Sequence, residues 1–333
     1  MADDTRYAYA VARIRGMETR LLDRQWIERL LSESADGALK ALSDSAYQEA
    51  MADVERPEDI EAGLTKATAE TFDVVSAIAP DPSLIDLFRI RWDFRNAKSL
   101  LKASLLKLAG EEVGVVRGAG TLDADALAEA IRDRSYTMLP AFLTDALRDA
   151  EEAYRDVGEL AVVDEVLDRA MWARALQVAR ASGEEFLVRF FEAEIDLANV
   201  RTFVRIKDAG HDRADLGRAL VPGGTLDAAF FEGLLGEPFD ALARRLEFGR
   251  YAPAAEVFRD WSQEKTPLLE LACDNALLAE AEGSRTIAYG IEPLVAYILS
   301  RRIEIKLIRA AMTAKLDGLE RPSVEARMRT IHV

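Results

Sequence analysis

Three stretches of this chain repeat one another, and this constrains the fold more than any other feature. They read Asp93-Phe94-Arg95-Asn96-Ala97-Lys98, Asp196-Leu197-Ala198-Asn199-Val200-Arg201 and Glu304-Ile305-Lys306-Leu307-Ile308-Arg309. An acid opens each copy. Asn96, Asn199 or Leu307 follows three residues later, and Lys98, Arg201 or Arg309 five later. Ala97, Val200 and Ile308 stand at the fourth step, and Leu100, Phe203 and Ala311 at the seventh. On a helix, steps of three, four, seven and eight return to one face. The spacing therefore predicts three helices with the acid, and in two copies the asparagine, on the core-facing stripe. The base lies to the side.

The repeat extends outward. Gly120-Thr121-Leu122-Asp123 recurs as Gly224-Thr225-Leu226-Asp227. Upstream, Val166-Leu167-Asp168-Arg169-Ala170 resembles Leu268-Leu269-Glu270-Leu271-Ala272 and, more weakly, Ile60-Glu61-Ala62-Gly63-Leu64. Copies spaced by roughly a hundred residues suit three small domains. The expected units are 1–115, 116–219 and 220–333, each with at least two long helices. Three similar units in one chain suit a pseudo-threefold arrangement around a central opening.

Helical spacing dominates elsewhere too. Ala10, Ile14, Met17, Leu21, Leu22, Trp26 and Leu30 recur in steps of three and four, which predicts helix across Arg6 to Leu31. Pro57 followed by Glu58 and Asp59 reads as a helix start. Asp81-Pro82-Ser83 reads as a turn opening another helix, and Gly118-Ala119-Gly120 and Pro222-Gly223-Gly224 as breaks. No stretch alternates apolar and polar residues over strand length, so the expected fold is all-α.

Composition narrows function by exclusion. The net charge is -16, which disfavours nucleic acid and anionic lipid, since both need clustered Lys and Arg. It favours basic protein partners, steered over about 8 Å at physiological salt. Cys273, the one cysteine, cannot form an internal disulfide and reads as a small buried apolar residue. The segment Met1-Ala2-Asp3-Asp4 has no apolar stretch behind it, so no signal peptide is expected. The most apolar window, Thr286 to Leu299, carries Glu292 and is too short for a span of about 20 residues.

No catalytic pattern stands out. His211 and His332 are far apart and Cys273 adds nothing to them, so no zinc set is expected. Gly63-Leu64-Thr65-Lys66 lacks the earlier glycine of a phosphate loop, and no Gly-x-Ser-x-Gly elbow occurs. The only paired aspartates, Asp3-Asp4, sit in a terminus expected to fray. Asp93 with Asn96, and Asp196 with Asn199, read better as hydrogen-bonded polar pairs inside the repeat than as metal ligands. The acidic stretch from Asp145 to Asp156 reads as a solvated helix face. No cofactor is expected.

The chain resembles the C subunit of archaeal and bacterial A/V-type ATPases, equivalent to the d subunit of the eukaryotic vacuolar enzyme. The resemblance covers nearly the whole length. Its carriers are Tyr7-Ala8-Tyr9-Ala10-Val11-Ala12-Arg13 leading to Glu18 and Leu21-Leu22, then Leu42-Ser43-Asp44-Ser45-Ala46-Tyr47. Asp93 to Asn96 with Lys102 follow, then Asn199 to Lys207, and Gly290-Ile291-Glu292-Pro293-Leu294 with Tyr297, Glu304, Ile308 and Arg309. Leu307 departs from the asparagine of the other copies, so the third polar network must differ. The resemblance implies an all-helical funnel of three similar domains without nucleotide binding or an active site of its own. It implies a rotor role on the cytoplasmic side of the membrane. There the wide opening receives the central stalk (D- and F-type subunits) and the opposite face sits on the membrane proteolipid ring, near the membrane stator subunit. Arg95, Arg205 and Lys207 are the candidate partner contacts, with intramolecular ion pairing as the competing reading. Two rival functions are a non-rotary helical scaffold and an all-helical enzyme acting on a diphosphate.

Overall fold

The computed structural model describes residues 5–108, 114–282 and 287–318. Asp3, Asp4, Thr286 and His332 lie outside the described residues. The fold is all-α, with no strand among the described residues. Two compact units divide the chain: Met1–Ile85 with Pro238–Val333, and Asp86–Glu237.

The first unit opens with α1 (Ala8–Glu18), α2 (Arg24–Ser32), α3 (Ala35–Ser43) and α4 (Ile60–Ile78). The helix expected across Arg6 to Leu31 is broken at Thr19–Asp23. The reason is local capping. Thr19 Oγ1 donates back to the Gly16 carbonyl at 2.8 Å, and Asp23 caps α2 by accepting from the Trp26 amide at 2.8 Å. Periodicity carries through the break because both helices bury the same kind of stripe: Ala10, Val11 and Ile14, then Ile27 and Leu30.

The second unit holds α5 (Pro82–Leu105) from Asp86 onward, α6 (Ala124–Arg132), α7 (Ala141–Val157), α8 (Ala161–Ser182), α9 (Glu185–Asp208), α10 (Arg213–Ala219) and α11 (Ala228–Glu232). Asp81 starts α5 by accepting from the Ser83 amide at 3.0 Å. Gly158 and Gly183 end α7 and α8 in the left-handed region, at φ 80° and 75°, where a side chain would be strained. The interior is aromatic. Phe88 meets Phe190 and Phe191 at 5.5 and 5.4 Å, and Phe203 meets Phe231 at 5.7 Å. Each pair adds about 0.5–1.5 kcal/mol beyond area burial.

The chain then completes the first unit with α12 (Phe239–Leu246), α13 (Ala252–Phe258), α14 (Thr266–Glu282) and α15 (Glu292–Leu316). α15 is its organising element: α1, α2, α3, α4 and α14 all pack on it. Such burial on several sides explains why its sequence shows little amphipathic contrast. Cys273 is fully buried on α14.

Candidate functional site

The three repeat acids are the most deeply buried ionisable groups in their helices. Asp93 is 1%, Asp196 0% and Glu304 1% exposed, and each burial demands partners. The partners are turns. Asp93 accepts from the Thr121 amide at 3.0 Å, the Leu122 amide at 3.0 Å and the Thr121 hydroxyl at 2.6 Å. Asp196 accepts from the Leu226 amide at 2.8 Å and the Thr225 hydroxyl at 2.5 Å. The two Gly-Thr-Leu-Asp copies are thus docking turns for the two aspartates. Each ends in an aspartate that caps the next helix: Asp123 takes the Ala126 amide and Asp227 the Phe230 amide, both at 2.8 Å.

The asparagines hold the preceding loop. Asn96 donates to the Val116 carbonyl and accepts from the Val116 amide, both at 2.8 Å. Asn199 makes the same two bonds with Val221, at 2.8 and 2.9 Å. One side chain thereby replaces a backbone ladder rung, which satisfies both polar ends of a buried amide.

The third acid finds its turn at the other end of the chain. Glu304 Oε1 accepts from the Leu22 amide, 282 residues away in sequence. Leu22 is followed by Asp23, the cap of α2, so Arg20-Leu21-Leu22-Asp23 is the third docking turn. It lacks both the glycine and the threonine of the other two. The change is matched on the helix. A Cβ on Gly120 or Gly224 would lie closer than 3.0 Å to the Asp93 or Asp196 carboxylate, so those turns sit directly on a short acid. Arg20 needs more room, and glutamate is longer by one methylene. Tyr47 and Arg301 take the place of the missing threonine hydroxyl, each donating to Glu304 Oε2 at 2.9 Å. The Arg301 guanidinium also lies 4.1 Å from the centre of the Tyr47 ring. Burial pushes the Glu304 carboxyl above its usual range, against the pull of Arg301, the Leu22 amide and the Tyr47 hydroxyl. The same burial, with Glu304 beside it, raises Tyr47 well above 10.0. The roles of Tyr47 and Arg301 are absent from the sequence reading; Arg301 stands three residues before the repeat acid, one helical turn away, which is the one signal the sequence offers.

Bases tie the long helices together. Lys98 and Lys102 on α5 pair with Asp168 and Asp164 on α8, the second at 2.9 Å. Arg91 holds Glu194 of α9 at 2.7 and 3.0 Å. On α15, Lys306 reaches Asp274 at 2.5 Å and Arg309 reaches Glu61 of α4 at 2.8 Å. The candidate contacts fall into two kinds. Arg95 is exposed and lies 5.3 Å from the Trp92 ring centre. Arg205 is exposed on the wall of a groove of about 550 Å³ that also takes in Glu165, Met171, Trp172 and Asp215. Lys207, by contrast, is turned inward. It donates to the Leu234 carbonyl at 3.1 Å and to that of Leu235, just past the end of α11, and burial lowers its pKa. Lys315 holds the same place relative to Glu304 and donates to the Leu31 and Glu33 carbonyls at 2.9 and 2.5 Å, at the end of α2. Both lysines cap the short helix that follows a docking turn.

Burial raises the Asp93 carboxyl above its usual 3.8, against the hydrogen bonds from Thr121 and Leu122. A raised carboxyl binds protons more readily folded than unfolded, so its contribution to stability falls as pH rises from the usual value through the raised one. Asp93→Asn removes that slope. Denaturant midpoints of wild type should decline more steeply than those of the variant above about pH 4. Parallel curves would contradict the assignment. At every pH the variant should be weaker by about 1–3 kcal/mol, because the Thr121 and Leu122 donors lose acceptors on a buried side chain.

The arrangement is one of hydrogen-bonded joints. Among the described residues, no group of three or more His, Cys, Asp or Glu is placed to hold a metal ion, and no helix is long and apolar enough to cross a membrane. His211 Nδ1 lies 3.2 Å from Asp215 at the exposed start of α10.

Known proteins resemble the chain along nearly its whole length. The chain is 27% identical over 329 residues to the A-type ATP synthase C subunit of Thermococcus kodakarensis, covering 95% of this chain and 88% of that one. It is 31% identical over 334 residues to the protein of the same description from Thermococcus gammatolerans, with the same coverage. It is 24% identical over 334 residues to the V-type sodium ATPase C subunit of Enterococcus hirae, covering 96% and 97%. The model of the ATP synthase (C/AC39) subunit family matches residues 10–327, which hold all three repeat acids and the docking turn of each: the chain belongs to that family.

Proposed function

We propose that this chain is a non-catalytic rotor subunit of a rotary A/V-type ATPase or ATP synthase. In this reading it is a socket that couples the central stalk to the membrane proteolipid ring and passes torque between them. The family match along residues 10–327 carries the reading. The proposed organisation is three sibling units, 1–115, 116–219 and 220–333, around a pseudo-threefold axis with a central opening. The chain would sit on the cytoplasmic side of the membrane, held there by its partners.

The joints suit that task. A torque-bearing part must not shear where its segments meet, and a buried carboxylate with several directional donors resists displacement better than apolar contact alone. Packed helices behind the joints are stiff. Arg95 and Arg205 are the proposed partner contacts. Lys207 contributes by keeping α11 in place.

Depleting the chain from purified complex tests this. ATP hydrolysis should continue while ATP-driven ion transport into vesicles is lost, and adding the chain back should restore transport. Transport that survives depletion would overturn the reading. Attachment through exposed charge should also weaken with salt, because such contacts are screened within about 10 Å at 0.1 M salt and within less as salt rises. Retention on immobilised stalk subunits should fall steadily as salt rises, and Arg205→Glu should shift that curve. Salt-independent retention would remove the electrostatic part of the proposal.

A further inference from the structure

We infer that the groove beside Arg205 is a seat for one helix of a partner protein. That helix carries a row of apolar side chains, with a Lys or Arg on the flank facing α8 and an acid on the flank facing α9. The inference extends the partner contact proposed for Arg205, and it holds whether that partner turns with the chain or stands still.

The groove lies within the second unit and runs between two helices. α8 lines it with Ala161, Glu165, Asp168 and Trp172, spaced by four, three and four residues. α9 lines it with Ala198, Thr202 and Arg205, spaced by four and three. Each set is one face of its helix. From Ala161 to Trp172 the α8 face is about 16 Å long, at about 1.5 Å per residue. A volume of about 550 Å³ over that length leaves a cross-section of roughly 35 Å². A whole helix, about 10 Å across with its side chains, does not fit. One row of side chains does. Such a trough takes a helix laid along its mouth, with anchors at steps of three and four. Its lining suits apolar anchors: Met171 is buried and adapts to the shape pressed on it, and Trp172 is half-buried. A compact small molecule would leave most of the length empty.

Charge sets which helix fits. Two carboxylates on the α8 wall are already matched, Asp164 by Lys102 and Asp168 by Lys98. On α10, Asp215 has Arg218 and His211. Glu165, and Glu159 just before α8, also line the groove, and among the described residues neither makes a hydrogen bond or an ion pair. Arg205 on the α9 wall likewise makes none. Burial raises the Glu165 carboxyl above its usual range, with Asp215 and Glu159 adding to it, against the pull of Arg218 and Arg169. A half-buried carboxylate without a cation gains from a base brought to it. The spare charges are thus two acids beside one helix and a base on the other, and the complementary helix carries the reverse order. A lipid headgroup layer or a nucleic acid would bring phosphates against Glu159 and Glu165, and the same charges disfavour both.

Photo-cross-linking in the assembled complex tests this. Benzoylphenylalanine placed at Ala161, which is exposed at one end of the groove, should join the chain to one partner subunit. The joined residues should lie on a helix, within a turn or two of a Lys or Arg. Cross-links to lipid, to a second copy of this chain or to a non-helical segment would overturn the proposal, as would none at all. Charge variants supply the second measurement. Glu165→Lys should cut the cross-link yield about fivefold or more, while Glu165→Asp should keep most of it. In the isolated chain, Glu165→Gln should leave the urea midpoint unchanged or slightly higher, because no partner is lost there. A Glu165→Gln chain that is clearly less stable on its own would make the carboxylate structural and contradict the seat. The cross-link can be absent while depletion still abolishes transport, so the seat and the rotor reading fail separately.

Discussion

Replacing Glu304 by alanine is expected to cost about 3–5 kcal/mol, the range for breaking a buried ion pair from one side. Arg301 is 6% exposed and would be left in the interior without its carboxylate. The Leu22 amide and the Tyr47 hydroxyl would lose their acceptor at the same time. Glu304→Gln keeps an acceptor and should cost less than alanine. Arg309→Ala is the control on the same helix. Its partner Glu61 is more than half exposed, and such pairs contribute less than about 1 kcal/mol. Urea unfolding of the three variants measures the order. A loss of under about 1 kcal/mol for Glu304→Ala would show that the joint bears little of the unit's stability.

The second large effect concerns a single methyl group. Gly224→Ala and Gly120→Ala should each destabilise by about 2–4 kcal/mol, combining overpacking with the loss of at least one hydrogen bond. The added Cβ would fall within 3.0 Å of the Asp196 or Asp93 carboxylate. Neither aspartate can retreat, because each is rooted in a long packed helix, so the turn must lift. Gly217→Ala is the matched control. Nothing lies within 4 Å of that site, and alanine should be neutral or slightly stabilising on α10. Thermal unfolding checks the contrast. Equal effects at Gly224 and Gly217 would mean that the turn is not pressed onto Asp196.

These joints also show what the sequence made legible. The helical class, the buried acids and the recurrence of Gly-Thr-Leu-Asp could all be read, because spacing on a helix and turn residues are local facts. The third docking turn could not. Arg20-Leu21-Leu22-Asp23 shares only its last two residues with the other copies, and it lies at the opposite end of the chain from the acid it serves. Its own period matches its flanks so well that it passes for uninterrupted helix. Leu307 marks the third network as different, but the replacements, Tyr47 and Arg301, come from a distant loop and from the neighbouring helical turn. Lys207 is legible only as a base serving either a partner or an intramolecular contact; the carbonyls of Leu234 and Leu235 that its ammonium meets at the end of α11 are placed by tertiary folding.

Family membership makes the chain a C/AC39-type subunit of an ATP synthase, and the part proposed for it is mechanical. A rotor part that turns with the ring can be fastened to it without penalty. Cys273 is fully buried, so one cysteine introduced at an exposed site such as Arg95 would be the accessible thiol among the described residues. Cross-linking that thiol to the proteolipid ring should leave ATP-driven ion transport intact, while cross-linking it to a stator subunit should stop it. Transport that ceases when the chain is fastened to the ring would contradict a rotor socket.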